Sequence, residues 1–220
     1  MKMPSKQFAF NQEIDVNQSE INSKKVLIVE GKDEVFFFES LFKFMNIEES
    51  IQILELGGVD NMKTKIKTIK NMPNFDEVDS IGIVRDSDGS IKSALQSVQN
   101  ILSDTDLPVP VSHNSFTKAD SLLKLGVFIM PGEEIEGAML EDLCLHTKSE
   151  DENINLINEY LNQLKESGSS YPSNVAKAKV LIYLASANKV VNTLGLGAKK
   201  GYWNLSSEAL NPIKSFITNL

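Results

Sequence analysis

The sequence predicts an α/β fold in which helices flank a mostly parallel sheet, followed by a helical C-terminal extension. Three features predict it. Short runs of β-branched and aliphatic residues alternate with longer segments of helical periodicity in the first part of the chain. Three strand–helix units in succession are typical of a parallel sheet with right-handed crossovers. From residue 137 onward, segments with helical spacing follow one another without a further strand-like run.

The first unit begins with the β-branched run 26–29, which resembles a strand buried on both faces and is stopped by Glu30 and Gly31. The helix predicted over 33–45 has apolar residues at helical spacing. Asp33 and Glu34 lie in its first turn, where the helix dipole favours acidic side chains.

The next two units repeat this order, and two further strands complete the predicted sheet. Glycines, prolines and an Asp-Ser-Asp-Gly segment separate the elements. The predicted strands are 51–56, 80–85, a short edge strand at 109–112, and 126–130; the predicted helices are 60–72 and 91–102. Gly57 and Gly58 form a predicted tight turn after the second strand.

Four helices are predicted in the remainder of the chain. They span 137–145, 154–164, 175–187 and 207–220, and Gly195 and Gly197 indicate the end of a helix. These boundaries predict an N-terminal arm over 1–23, an α/β core over 24–147 and a helical extension over 148–220 that packs on the core.

Composition limits the chemistry. The 220 residues include one cysteine and two histidines, so an internal disulfide and a Cys- or His-rich metal site are not expected. The chain has 30 acidic residues and a net charge of -8, which favour a hard cation held by oxygen and argue against a protein that coats nucleic acid through its overall charge. We find no membrane or secretory segment and therefore expect a cytoplasmic protein.

Acidic residues follow the predicted strands. Because the carboxyl ends of parallel strands share one edge of a sheet, where ligands bind, we expect these residues to converge there. Carboxylates gathered in one place repel one another unless a cation neutralises them, which predicts a Mg²⁺ or Mn²⁺ site. The candidate metal ligands are Glu30, Glu34, Asp86, Asp88, Glu134, Glu136 and Glu141.

Three motifs resemble the Toprim domain found in topoisomerases, bacterial primases and OLD-family nucleases. They are Glu30-Gly31 with Glu34 three residues further on, the Gly57-Gly58 pair, and Asp86-Ser87-Asp88-Gly89, which together cover about 24–145. The Glu-Gly-x-x-Glu form and the glycine pair are most similar to the OLD-type branch. The segments 137–143, 177–179 and 201–203 resemble a small stand-alone bacterial Toprim-like family of unknown function.

The resemblance implies a Rossmann-like core and metal-dependent hydrolysis of DNA or RNA. It implies that Glu30 is a metal ligand or general acid/base, that Asp86 and Asp88 are metal ligands, and that Glu34 serves a second metal. Lys177 or Lys179 would stabilise the charge that develops on the phosphate. The chain lacks the Gly-x-x-x-x-Gly-Lys-[Ser/Thr] loop of the ATPase that precedes Toprim in OLD proteins, so a separate ATPase partner is one expectation.

Two alternatives remain open at the level of sequence. The segment from Asp86 to Ser90 also resembles the haloacid-dehalogenase phosphatase signature, although that signature normally follows the first strand of its domain. A Toprim-like fold can also bind nucleic acid or a protein partner without catalysis. Arg85 is an unusual charge at the end of a predicted central strand, and it would pair with a neighbouring acid or contact phosphate.

Overall fold

One five-stranded sheet organises the computed structural model, which describes residues 20–48, 50–58, 61–117, 122–168 and 170–220. The strands are β1 (Lys25–Val29), β2 (Gln52–Glu55), β3 (Ser80–Asp86), β4 (Ser115–Phe116) and β5 (Lys124–Met130). Their order is β2-β1-β3-β5-β4, and all neighbours are parallel except β4, which runs antiparallel to β5. The predicted α/β fold class with a mostly parallel sheet is confirmed.

Helices follow the strands and then make up the C-terminal part. They are α1 (Lys32–Met45), α2 (Met62–Lys70), α3 (Ile91–Asp104), α4 (Leu140–His146), α5 (Glu152–Glu166), α6 (Val175–Ala185), α7 (Leu194–Lys199) and α8 (Asn211–Thr218), with 3₁₀ turns at Phe75–Glu77 and Glu208–Leu210. Across the described ranges, none of these helices has both the length and the apolar character needed to cross a membrane.

Two sequence predictions about elements are wrong. The edge strand lies at Ser115–Phe116 and not at 109–112, because Pro108 and Pro110 remove backbone donors that a sheet ladder needs. Gly195 and Gly197 lie inside α7 and do not end a helix. The predicted arm up to residue 19, and Asp60 at the predicted start of the second helix, lie outside the described residues.

The sheet is buried on both faces, as the β-branched run of β1 predicts. Alternate residues of β1 belong to two different hydrophobic clusters: Leu27 and Val29 face one, and Val26 and Ile28 face the other. The second cluster includes residues of α2 and α3. The first includes residues of α1 and of the C-terminal helices, so these helices cover one face of the sheet.

The C-terminal helices share their core with the α/β part. Gly82 of β3 leaves space for the last helix, since a Cβ there would lie 3.0 Å from Leu220 and 3.1 Å from Phe216. The Phe216 ring also packs on Phe116 and Phe128, with centroids 4.8 and 5.6 Å apart. The division of the chain at residue 148 stays a prediction, and the residues on either side of it belong to one cluster.

Candidate active site

A cleft of about 460 Å³ opens where β1 and β3 end side by side. Glu30 directly follows β1, Asp86 is the last residue of β3, and Glu34 lies in the first turn of α1. Glu141 of α4 and Lys177 of α6 also line the cleft. Other lining residues are Gly31, Lys32, Asp33, Phe36, Gly58, Leu140, Thr193, Leu194 and Leu196. The structure therefore brings together four of the predicted acids and one predicted lysine.

Glycines allow the backbone to pass close to Glu30. Gly57 and Gly58 have φ of 74° and 102°, a left-handed region that favours glycine. The turn they form carries the Gly58 N–H to the carbonyl oxygen of Glu30, 3.1 Å away. Gly31 faces Glu34, because a Cβ at residue 31 would lie 3.2 Å from Oε2 of Glu34. The Glu-Gly and Gly-Gly motifs thus meet at one point.

Asp86 is held in place by a backbone N–H group. Its Oδ1 accepts a hydrogen bond from the Leu140 N–H at 3.0 Å, and its own N–H points to Glu30 Oε2 at 3.5 Å. Burial raises the pKa of the Asp86 carboxyl to about 8, and the negative charges of Glu34, Glu30 and Glu141 contribute to that rise. Near neutral pH this carboxyl therefore gains and loses its proton.

The other acids of the cleft are also poorly solvated. Burial is the largest cause in each case, and it raises the pKa of Glu34 to about 7. The pKa values of Glu30 and Glu141 are raised as well, although a backbone hydrogen bond and nearby cations act in the opposite direction. Ionising each of these carboxyl groups therefore costs free energy, and a bound cation would offset that cost.

Lys177 is the positively charged group that pairs with Glu141. Its Nζ lies 3.9 Å from Glu141 Oε1, and its side chain is 61% exposed, so it is free to reorient within the cleft.

Lys32 and Asp33 also line the cleft, and no sequence pattern assigns either of them a role there. Asp33 lies beside Glu34 in the segment 31–34, but its carboxylate accepts from the Gly195 N–H at 2.9 Å. That contact joins residues far apart in sequence, and no local pattern indicates it.

Asp88 does not line the cleft, although its negative charge contributes to the raised pKa of Glu30. Its Oδ2 lies 2.8 Å from Nη2 of Arg85, and the Asp88 side chain is 64% exposed whereas that of Arg85 is 5% exposed. The Arg85 Nε also donates to the carbonyl oxygen of Asp86 at 3.1 Å. Arg85 therefore pairs with a neighbouring acid, one of the two expectations for it, and braces the loop that carries Asp86.

The remaining predicted residues lie elsewhere. Glu134, Glu136 and Lys179 line a second cleft of about 520 Å³ that also includes Asp142 and His146. The structure does not bring them to the cleft of Glu30 and Asp86. The chain turns away after β5 at Pro131 and Gly132, and among the three predicted acids that follow, Glu141 is the one that returns to the sheet edge.

The donor chemistry of the first cleft fits a hard divalent cation. Within the residues that the structure describes, no group of three or more His, Cys, Asp or Glu side chains is arranged to hold a metal as it stands. Mg²⁺ typically takes only one or two protein carboxylates and completes its shell with water and substrate oxygens. Glu30 and Asp86, on adjacent strand ends and bridged through the Asp86 N–H, match that requirement.

One solved structure supports the fold, and another is similar at a lower score. Hypothetical protein PH0156 from Pyrococcus horikoshii OT3 is 13% identical, with 89% of this chain and 94% of that chain covered and a TM-score of 0.58. The C-terminal region of the Xanthomonas campestris pv. campestris OLD protein is 16% identical, with 90% and 95% covered and a TM-score of 0.48. Among curated proteins nothing matches.

A family model identifies the chain. The model described as "Protein of unknown function (DUF3226)" matches residues 24–220, nearly the whole sequence. The match begins immediately before β1 and includes all the acids and both lysines that line the first cleft. The chain therefore belongs to the DUF3226 family.

Proposed function

We propose that this protein hydrolyses phosphodiester bonds of nucleic acid in a reaction that depends on Mg²⁺ or Mn²⁺. One observation carries the proposal: Glu30, Glu34, Asp86 and Glu141 converge with Lys177 in a single cleft at the carboxyl ends of two adjacent parallel strands. The resemblance of the three motifs to the Toprim domain, and to its OLD-type branch, supports the same chemistry.

Electrostatics makes a cation part of the proposal. A cleft lined by five carboxylates repels a phosphodiester, which is itself an anion, unless a cation lies between them. A divalent ion bound there would supply a Lewis acid for a phosphoryl oxygen and would lower the pKa of the attacking water. Glu30 and Asp86 are the residues that would hold it, and Glu34 and Glu141 are within electrostatic range of Asp86.

The protein's own groups have distinct parts in this reaction. Glu34 lines the cleft within electrostatic range of Asp86, and we assign it to take a proton from the attacking water. The water oxygen bonds to phosphorus as the bond from phosphorus to the ester oxygen breaks, and the departing oxygen takes up a proton from solvent. Lys177 lies at the rim, where its ammonium group stabilises the additional negative charge on the phosphate.

Asp88 has a supporting role in this proposal. Its pairing with the buried Arg85 stabilises the loop after β3 and leaves metal ligation to Asp86. We assign Lys179, Glu134 and Glu136 no contact with the reacting phosphate, because they line the second cleft.

The test is cleavage of labelled single- and double-stranded DNA and RNA by the full chain in Mg²⁺, Mn²⁺ or EDTA. Asp86→Asn and Glu30→Gln keep the size of each side chain and remove a negative charge. We expect cleavage only when Mg²⁺ or Mn²⁺ is present. In either variant we expect the cleavage rate to fall at least roughly 100-fold, in line with the loss of one strong electrostatic contribution. Glu159→Gln, an exposed site on α5, is the matched control and should retain full activity.

Two results would overturn the proposal. One is cleavage that persists in EDTA; the other is equal cleavage by wild type and a correctly folded Asp86→Asn variant. Metal-dependent binding of nucleic acid without any turnover would favour the non-catalytic alternative. Release of phosphate from small phosphomonoesters, lost in Asp86→Asn, would favour the phosphatase alternative.

A further inference from the structure

The loop before α4 is organised by a single carboxylate. Oδ2 of Asp142 accepts hydrogen bonds from the backbone N–H groups of Ala138, at 2.8 Å, and Met139, at 3.2 Å. Asp142 lies in the first turn of α4, where these N–H groups have no partner within the helix. The carboxylate therefore folds residues 138 and 139 back onto the start of their own helix.

This loop has space for nothing larger than glycine at residue 137. Gly137 has φ of 141°, and a Cβ there would lie 2.3 Å from Cγ of Asp142. Because real Cβ atoms do not approach another atom so closely, any other residue would push the Asp142 carboxylate away from the two N–H groups. Gly137 and Asp142 thus form one packed unit.

The same loop holds Asp86 in place. The next backbone N–H, that of Leu140, donates to Asp86 Oδ1 at 3.0 Å. The carbonyl oxygen of Ala138 accepts from both the N–H and the Oγ of Ser87, at 2.8 and 3.0 Å. Ala138 and Leu140 therefore contact Asp86 and Ser87 through three hydrogen bonds. Asp142 sets the backbone conformation of Ala138 and Leu140.

We propose that Asp142 is a positioning residue that orients the Asp86 carboxylate through the backbone of Ala138–Leu140. Asp142 lines the second cleft and does not line the first, so it acts through Asp86 and not on substrate. Its effect on cleavage rests on the proposed function. The effect of Asp142 on the orientation of Asp86 does not rest on the proposed function, and the two effects are measured separately.

The experiment compares Asp142→Ala with Asp142→Asn in the full chain. The amide oxygen of asparagine can accept both hydrogen bonds, whereas alanine accepts neither. We measure Mn²⁺ affinity, the cleavage rate and the amide-proton resonance of Leu140. In Asp142→Ala we expect Mn²⁺ affinity and rate to fall roughly 10-fold or more, as for residues that orient metal ligands, and the Leu140 resonance to move upfield. Asp142→Asn should restore all three.

A double-variant comparison separates positioning from general damage. If Asp142 acts through Asp86, Asp142→Ala should add no further loss of Mn²⁺ affinity when Asp86→Asn is already present. Asp151→Ala is the matched control, because Asp151 also caps a helix, accepting from the Asn153 N–H at 3.1 Å, but lies outside the first cleft. It should lower thermal stability and leave Mn²⁺ affinity unchanged.

Three outcomes would overturn the proposal: an unchanged Leu140 resonance in Asp142→Ala, an additional loss in the Asp86→Asn background, or an equal defect in Asp142→Asn. If wild type cleaves nothing, the proposed function fails while Mn²⁺ affinity and the Leu140 resonance still decide the role of Asp142. If Asp142→Ala does not fold, Asp142→Glu keeps the charge but moves the acceptor by one methylene and should reproduce the upfield change.

Discussion

At the scale of single residues, the cleft concentrates acids that burial makes hard to ionise. The pKa values of Glu34 and Asp86 rise to about 7 and about 8. Each tenfold change in a proton dissociation constant between the unfolded and folded chain corresponds to about 1.4 kcal/mol of free energy. In the absence of a cation, these groups make the folded state less stable as they lose their protons. The site is thus maintained at a cost in stability, which is typical of groups kept for function.

Glu34→Gln should change the pH dependence of stability. The unfolded chain releases the Glu34 proton near pH 4.5, whereas the folded state keeps it until about pH 7, so the free energy of unfolding falls as pH rises between these values. The variant lacks this fall. In urea unfolding without metal, we expect it to be roughly 1–3 kcal/mol more stable than wild type at about pH 8 and similar at about pH 4.

Two comparisons make that prediction specific. Glu159→Gln, exposed on α5, should follow the wild-type curve at every pH. Adding Mn²⁺ should stabilise wild type more at about pH 8 than at about pH 6, because the metal binds the deprotonated carboxylates. Parallel curves for wild type and Glu34→Gln would show that burial does not raise the Glu34 pKa.

At the scale of elements, the short helix α7 forms one wall of the cleft. It approaches α1 closely, since the Gly195 N–H donates to Asp33 Oδ1 at 2.9 Å. The Trp203 Nε1 donates to the carbonyl oxygen of Leu194 at 3.0 Å and holds the opposite side of α7. These contacts place Leu194 and Leu196 on the cleft wall. The only tryptophan of the chain therefore packs inside the protein.

Gly195→Ala and Gly197→Ala should differ although both replace glycine in the same helix. A Cβ at residue 195 would lie 2.8 Å from the backbone oxygen of Asp33, which cannot easily move. At residue 197 the closest contact, 2.7 Å, is with the flexible end of Leu184, and Trp203 Nε1 follows at 3.3 Å. We expect Gly195→Ala to lose about 1–3 kcal/mol in urea unfolding.

Gly197→Ala should be nearly neutral, because the helix propensity of alanine, worth about 1 kcal/mol over glycine, offsets the adjustment of Leu184. The pair controls for the change in propensity, which is the same at both positions. Equal stability of the two variants would contradict the close packing of α7 on α1.

At the scale of the whole molecule, one hydrophobic cluster joins the sheet to the C-terminal helices. The aromatic stack of Phe116, Phe216 and Phe128 crosses from the edge of the sheet to α8. Trp203 stacks on Tyr183 in the same cluster, with ring centroids 5.5 Å apart. A shared core of this kind favours a single cooperative unfolding unit.

Unfolding should therefore give one transition by two probes. Trp203 fluorescence reports on the C-terminal helices, and far-ultraviolet circular dichroism reports on the entire chain. We expect the two curves to coincide in urea, and Phe216→Ala to lower the free energy of unfolding by about 3–5 kcal/mol with both probes. A Phe216→Ala variant whose fluorescence transition moves while the dichroism transition splits would instead support independent units that meet near residue 148.

Much of this architecture follows from local sequence patterns. The runs at β1, β3 and β5 are largely apolar because both faces of a central parallel strand are buried. Helices with a continuous apolar stripe are predictable from sequence, because that stripe is the face that packs on a hydrophobic cluster. The convergence of Glu30, Glu34 and Asp86 also follows, since strand order places the ends of β1 and β3 side by side and the motifs lie directly at those ends.

Local patterns are thus sufficient to predict the fold class, the acidic site at the sheet edge and the residues at its centre. Tertiary packing selects among the remaining candidates: Glu141 and Lys177 join that site, Glu134, Glu136 and Lys179 line another cleft, and Asp88 pairs with Arg85. The physical reason is the distance along the chain over which each effect acts. Periodicity and turn chemistry act over a few residues, whereas the path of a loop and the docking of a distant helix depend on packing between residues far apart in the chain.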